Sequence, residues 1–149
     1  RLKEVMNKPV PDSYIRKAIF NAFNGTIVDN NTIYVYDSRY TSLGTYNEAY
    51  VLMTTQSNDV SYNKCSNFWE SDILLEVCTI YKSVSNVGSR LLADNILEAL
   101  RQALQTNLDL SGSGLVVDNQ LMSFPGDLTT PLQNGSLFRK FLRLEIRIK

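Results

Sequence analysis

The chain has 149 residues, with 15 basic and 15 acidic side chains, no histidine and two cysteines. This length is typical of a single domain, which buries about 68–70% of its unfolded surface and folds without a disulfide or metal. The absence of histidine excludes Ser-His-Asp and Cys-His catalytic sites and the zinc sites that use histidine. A net charge of zero argues against a dedicated nucleic-acid binder, which is basic overall.

The termini and cysteines indicate where the protein is made. Cys65 and Cys78 lack the spacing of a metal site, so we expect two thiols in a reducing cytoplasm, with one disulfide as the alternative. No apolar run approaches the ~18 residues that a membrane-spanning helix needs. The amino end lacks the apolar core of a signal peptide. We therefore expect a soluble protein, with an N-terminal extension at 1–10 and one domain over 11–149.

The first half of the chain predicts one helix and three strands. Apolar residues at the spacing of one helical face predict a helix over 11–24. β-Branched and aromatic residues predict strands over 26–28 and 32–36 around an Asp-Asn turn. A loop without periodicity is expected at 38–48, a strand at 49–56 and a second polar loop at 57–68. The residues of the predicted helical face are Ile15, Ala18, Ile19, Ala22 and Phe23.

The second half predicts a long strand, a long helix and two further strands. Alternating residues predict a strand over 69–83, with the side that includes Ile73, Leu75 and Val77 facing inward. A helix is expected over 87–107, followed by a flexible Ser-Gly break at 111–114 and a strand over 115–124. A third long loop at 125–136 leads to a closing strand over 137–149. The predicted buried stripe of this helix is Leu92, Ala93, Ile96, Leu97, Leu100, Ala103 and Leu104.

This order of elements predicts the fold class. Few helices connect consecutive strands, so we expect an α+β domain with a mainly antiparallel sheet. Both helices should pack on one face of the sheet, and long loops should join several strands.

Motifs for chemistry are scarce. No P-loop, nucleophile elbow or complete dinucleotide-binding glycine pattern occurs, so we expect no cofactor. The remaining candidates for acid–base or Mg²⁺ chemistry are Asp37, Glu70 and Asp72, which together suggest a small Mg²⁺-dependent hydrolase as the alternative function. Glu70 and Asp72 share one side of a strand end, where paired acids more often form a solvated edge.

The closing strand is rich in charge, and it is a candidate channel-lining or partner-facing strand. Its outward side chains suit phosphate, an acidic partner surface or water. Solvation is the favoured interpretation for an isolated domain, and a channel lining or subunit contact for an assembly. The candidate residues are Arg139, Arg143, Glu145, Arg147 and Lys149.

Aromatic residues and long loops suggest an interface. Tyrosine is enriched at interfaces, although a tyrosine-rich outer sheet face is an equal alternative. Loops of eleven or twelve residues exceed the ~4–6 residues typical of a compact domain and usually bind something. The candidate interface residues are Tyr40, Leu43, Tyr46, Tyr62, Trp69, Leu128 and Leu132.

The order and pattern of elements over 11–149 resemble the tail-terminator, or tail-completion, proteins of tailed bacteriophages. The match is one of order, size and pattern, and it includes no catalytic signature. Its pieces are the helix with Ile15 and Phe23, the strands 33–36, 50–52 and 73–77, the segment 87–93, the helix 96–100 and the closing strand 141–146.

The resemblance implies a non-enzymatic virion protein. Members of that family form rings, commonly six-fold, that cap the tail tube and present a surface to the head connector. It implies for this chain a homo-oligomeric ring, six-fold or a multiple of it, in the tail or neck. The ring would be assembled in the host cytoplasm, contact tube and portal-side proteins, pass double-stranded DNA without binding it specifically, and contact no membrane.

Overall fold

A computed structural model of the chain describes residues 9–37, 49–62, 67–82, 90–132 and 135–149. These residues form two helices and six strands. None of the helices in these ranges is long and apolar enough to cross a membrane. In chain order the elements are α1 Asp12–Phe23, β1 Thr26–Val28, β2 Asn31–Tyr36, β3 Ala49–Tyr62, β4 Asn67–Lys82, α2 Arg90–Ala103, β5 Val117–Leu132 and β6 Gly135–Ile148.

The strands form one sheet in the order β1-β2-β3-β4-β6-β5. β2 and β3 run parallel, while the other neighbouring pairs are antiparallel. The prediction of a mainly antiparallel sheet with two helices is therefore confirmed. Residues 37–48 give a connection long enough for this parallel pair, because a tight turn cannot join parallel neighbours. The predicted β1–β2 turn is present, with φ angles of 49° at Asp29 and 65° at Asn30, which suit a two-residue hairpin turn.

One hydrophobic core contains side chains from both helices and from alternate positions of the strands. α1 buries Ile15, Ala18, Ile19 and Phe23, as its sequence pattern predicts, whereas Ala22 is exposed. β4 buries the side that was predicted to face inward, because its apolar residues occur at every second position. The core residues of α2, β4 and β6 are Leu92, Ala93, Ile96, Leu100, Ile73, Leu75, Val77, Leu142, Leu144, Ile146 and Ile148.

Helix α2 ends at Ala103, four residues before the predicted boundary, and predicted residues 87–89 lie outside the described ranges. The side-chain amide of Gln120 on β5 explains the early end. Its Nε2 donates hydrogen bonds to the carbonyl oxygens of Leu104, at 2.8 Å, and Thr106, at 3.1 Å. Both acceptors lie just after Ala103, so a side chain from another element binds the chain there in a non-helical conformation. On the exposed side of α2, a hydrogen bond from Arg101 lowers the pKa of the Glu98 carboxyl.

Two of the three predicted long loops are wrong. Residues 57–62 continue β3 and pair with 67–72 of β4, so most of the predicted loop 57–68 is a hairpin. Residues 125–132 continue β5 and pair with 135–141 of β6, which replaces most of the predicted loop 125–136. The third predicted loop, 38–48, lies outside the described residues, as does Cys65. The expectation of two reduced thiols therefore stays a prediction.

Two bulges explain why the periodicity of the sequence did not predict these hairpins. The β3–β4 register shifts between Met53 and Gln56, and the β5–β6 register shifts between Ser123 and Gly126. An extra residue reverses the alternation of inward and outward side chains, so the two halves of the strand do not follow one period. The hairpin ends also carry polar residues and Pro125 and Pro131, which usually indicate a loop but are tolerated on an edge strand.

Candidate assembly surface

The sheet has an inner face, which contains Ile73, Leu75 and Val77, and an outer face on the opposite side. Side chains alternate between the two faces along each strand, and directly opposite residues share a face. The strand register therefore defines rows of outer-face residues that run across the sheet. These rows divide the outer face into two parts with different chemistry.

The charged half of the outer face lies near the β3–β4 turn. Arg147 of β6 is opposite Glu70 of β4, and their side chains are 3.2 Å apart. Arg143 contacts Asp72 at 3.3 Å. All four side chains are one-third to one-half exposed. A shallow cleft here of about 390 Å³ is lined by Ser57, Asp59, Glu70, Ser71, Asp72, Asn119, Leu121, Glu145, Ile146 and Arg147.

The apolar half of the outer face lies toward the β5–β6 turn. Tyr50, Leu52 and Cys78 are almost fully buried there and form a second hydrophobic cluster, separate from the main core. The rings of Tyr36 and Tyr50 pack edge to face, with centroids 5.9 Å apart. The partly buried side chains that complete this cluster are Tyr36, Ile80 and Leu137.

One ion pair lies inside this apolar half. Glu76 of β4 is only 2% exposed, and Arg139 of β6 both pairs with it and donates a hydrogen bond to it from Nε. The Arg139 guanidinium also lies 5.5 Å from the ring centroid of Phe141. A buried charge is tolerated only with a close, hydrogen-bonded partner. The pair therefore allows an otherwise apolar surface to include two charged residues.

Of the three register shifts in the described strands, the third of which lies between Val117 and Asn119 of β5, the two named above mark the boundary between the halves. β3 shifts register beside Ile73 and Leu75 of β4, while β5 shifts beside Phe141 and Arg143 of β6. Since Phe141 is opposite Glu76 and Arg143 is opposite Leu74, both shifts occur at the same level of the sheet. A bulge bends its strand and increases the local twist. We call this line the crease.

The predicted interface residues fall into four groups. Tyr40, Leu43 and Tyr46 lie outside the described residues, and Tyr62 is the last residue of β3. Trp69 is half-buried and packs against the main core, and its Nε1 has no hydrogen-bond partner among the described residues. On β5, Leu128 is 48% exposed and Leu132 is 41% exposed. Their role in an interface stays a prediction.

The basic residues of the closing strand are held by acids. Besides the pairs of Arg139, Arg143 and Arg147, Lys149 contacts Asp118 at 3.1 Å. Glu145 is exposed between two of the arginines. Sequence reasoning identified both the acids of β4 and the bases of β6 but not their pairing. The sequence did contain a signal for this pairing. Glu70, Asp72 and Glu76 lie at alternate positions of β4, and the basic residues lie at alternate positions of β6, which runs antiparallel to β4.

The carboxylates of the alternative Mg²⁺ site are not brought together. Asp37 follows β2 and lies 3.9 Å from Arg16 of α1. Glu70 and Asp72 are on β4 and engage arginines of β6. Within the ranges that the structure describes, no group of three or more acidic or cysteine side chains has an arrangement suited to a metal ion.

Comparisons with known proteins identify a fold relative. No protein-family model matches the chain, and no curated protein matches its sequence. A chain in the solved structure of the virion of a native gene transfer agent particle matches it with a TM-score of 0.61. That match has 17% sequence identity and covers 92% of this chain and 96% of the other. The two chains therefore share a fold over nearly their whole length.

Proposed function

We propose that this chain is a non-enzymatic structural protein of a phage-like virion. The observation that carries the proposal is the fold match, which spans nearly all of both chains and links this fold to a virion particle. The sequence resembles phage tail-terminator proteins in element order and residue pattern, and this resemblance supports the same class of virion structural protein. Virion assembly, in the host cytoplasm, depends on protein surfaces rather than on a catalytic site, in keeping with the extended outer face.

The finer proposal is a ring in the tail or neck, six-fold or a multiple of it. Such a ring would cap the tail tube or join it to the head connector, and its partners would be tube and portal-side proteins. The exposed leucines Leu128 and Leu132 support a contact with other copies or partners, since apolar side chains at an interface core are removed from water. The remaining interface candidates are Tyr40, Leu43, Tyr46, Tyr62 and Trp69.

We assign both helices to the inner face, because their buried residues share one core with the inner-face residues of the sheet. The exposed parts of the outer face are then available to partners, and its charged half is the surface that we place beside DNA. Its arginines are engaged by carboxylates. Cations that are already paired neutralise few phosphates, so they add little salt-dependent affinity. Double-stranded DNA would therefore pass without specific binding.

The test is the assembly state of the purified protein. Sedimentation and native mass spectrometry over increasing concentration should show closed oligomers of six or a multiple of six subunits, and electron microscopy should show rings with a central channel. The same measurements should be repeated with the tail-tube and connector proteins of the same virion. A strict monomer at high concentration that remains unchanged with those partners contradicts the proposal.

A further inference from the structure

One row of the apolar half crosses five residues of the sheet, from β2 to β5. The register places Tyr34 beside Tyr50, Tyr50 opposite Cys78, Cys78 opposite Arg139, and Arg139 opposite Leu128. The centre of the row is buried, with Tyr50 at 5% and Cys78 at 0% exposure, whereas Tyr34 is 39% and Leu128 48% exposed. Both ends of the row are thus large, exposed and mainly apolar.

Ile27 extends the exposed surface at the β2 end. It is opposite Thr32, and Thr32 alternates with the buried inward residue Ile33, so Ile27 lies on the outer face. At 69% exposure, it is among the most exposed large apolar residues of the described chain. The chain therefore presents an apolar end with Ile27 and Tyr34 at one edge of the sheet and another with Leu128 at the opposite edge.

We propose that these two ends contact each other between neighbouring copies, with the Leu128 end of one subunit packed on the Ile27–Tyr34 end of the next. This inference rests on the proposed function, because it identifies the contact that builds the ring. Two different surfaces that meet head to tail form a heterologous contact, and such contacts close into rings when the rotation permits. The occupant of each end is thus a second copy of this chain.

Charge favours an apolar partner at these ends. Within the row, the charged residue is Arg139, and Glu76 already compensates it. A nucleic acid would require cations that are able to neutralise phosphates, and Ile27, Tyr34 and Leu128 supply none. The same chain offers matching apolar groups at its opposite edge, so that each subunit carries both halves of the contact.

The contact should form by side-chain packing rather than by adding strands edge to edge. β5 is an edge strand, but its bulge between Ser123 and Gly126 interrupts the regular ladder. Pro125 and Pro131 lack an N–H group and further limit pairing along this edge. The exposed side chains of the outer face remain available for docking.

The test compares two leucines of the same strand. Leu128→Glu places a charge at the proposed contact, while Leu121→Glu makes the same change on the same face at a more exposed leucine, 56% against 48%. Leu121 is opposite Glu145, on the charged side of the crease. Leu128→Glu should weaken subunit association by about 30-fold or more, as for a central interface residue, and Leu121→Glu should leave it within a few-fold of the parent. Circular dichroism verifies that both variants fold.

Mixing two variants tests the direction of the contact. Ile27→Glu should also prevent ring formation, because it alters the other half of the same contact. An equimolar mixture of Ile27→Glu and Leu128→Glu should form one-to-one dimers, since one intact contact is available between the unaltered ends. A two-fold contact between identical surfaces would not give such dimers. If the mixture forms no one-to-one dimers, the head-to-tail arrangement is overturned.

The failure of this inference differs from the failure of the proposed function. If the parent protein forms rings that Leu121→Glu disrupts and Leu128→Glu does not, the contact is misplaced but the ring is retained. Rings that both leucine variants form normally also overturn the inference alone. If the parent protein stays monomeric with its tube and connector partners, the proposed function and this contact fail together.

Discussion

Among the described residues of the outer face, Glu76 is the most deeply buried charged side chain, at 2% exposure, and Arg139 forms an ion pair with it. Removing one member of a buried pair leaves the other charge without compensation, which costs about 3–5 kcal/mol. We expect Glu76→Gln to lower the free energy of unfolding by about 3 kcal/mol, near the lower limit because the amide still accepts a hydrogen bond. Urea denaturation followed by circular dichroism measures this change.

The Glu70–Arg147 pair provides the matched control. It joins the same two strands on the same face, but both side chains are nearly half exposed. Exposed pairs contribute about 0–1 kcal/mol, so Glu70→Gln should change the unfolding free energy by less than 1 kcal/mol. Equal effects of the two substitutions would show that burial does not distinguish these pairs. Replacing Glu76 and Arg139 together by Met should recover much of the lost stability, because no buried charge then remains.

At the scale of single elements, the β5 bulge depends on a glycine. Gly126 has a φ angle of 132°, and a Cβ there would meet no other atom within 4 Å. The cost of a side chain therefore comes from the backbone conformation alone, which strains an L-residue by about 1–3 kcal/mol. We expect Gly126→Ala to lower the free energy of unfolding by that amount in urea. Ser123→Ala, at the other end of the bulge, should have little effect, and a similarly small effect of Gly126→Ala would contradict this account.

Sequence reasoning predicted the elements whose period is continuous. α1 and the inner side of β4 keep one helical face or one alternation, so their buried residues were identified correctly apart from Ala22, which is exposed. The hairpin ends of β3 and β5 were assigned to loops, because each lies beyond a bulge that reverses the alternation. The Gln120 side chain that ends α2 acts across a long sequence separation, which local propensity does not include.

The candidate surface was predictable in composition but not in arrangement. The basic alternation of β6 and the acids of β4 are visible in the sequence, yet their ion pairs depend on a register that tertiary structure fixes. The second hydrophobic cluster was missed for the same reason: Cys78 lies on the side of β4 opposite to the predicted inward side, and no inward side was predicted for the strand that contains Tyr50 and Leu52. To predict which residues contact each other on the outer face, one must know the order and register of the strands, which a single sequence does not specify.

At the scale of the whole molecule, zero net charge conceals an uneven distribution. Among the described residues, the charged half of the outer face contains the acids Asp59, Glu70, Asp72 and Glu145 and the bases Arg143 and Arg147. These carboxylates outnumber the arginines, so we expect this surface to repel a polyanion even though the chain is neutral overall. Under the proposed function, a surface with this balance suits the wall of a channel through which DNA moves, because each freely available cation would add a phosphate contact.

Neutralising these carboxylates should convert the surface into one that binds DNA. In the triple variant Glu70→Gln, Asp72→Asn and Glu145→Gln, Arg143 loses the carboxylate of Asp72 and Arg147 loses the carboxylate of Glu70. We expect double-stranded DNA affinity to rise at low salt, and its logarithm to fall more steeply with the logarithm of salt concentration. The additional slope should be about 2 per subunit that contacts DNA, or about 0.9 for each new phosphate contact. Fluorescence anisotropy with a labelled duplex measures both quantities.

The control changes the net charge equally at sites away from the outer face. Asp94 and Glu98 lie on α2, and Asp127 is opposite Lys140 on the inner side of the sheet. These three acids form ion pairs with Lys140, Arg101 and Arg90, respectively. The control variant Asp94→Asn, Glu98→Gln and Asp127→Asn therefore removes the carboxylates from three cations, whereas the test variant removes them from two. If general charge governs DNA affinity, the control variant will bind at least as tightly. If the outer-face variant alone binds DNA more tightly and with a steeper salt dependence, the DNA passes the charged half. The reason is that the affected arginines would face the duplex only there.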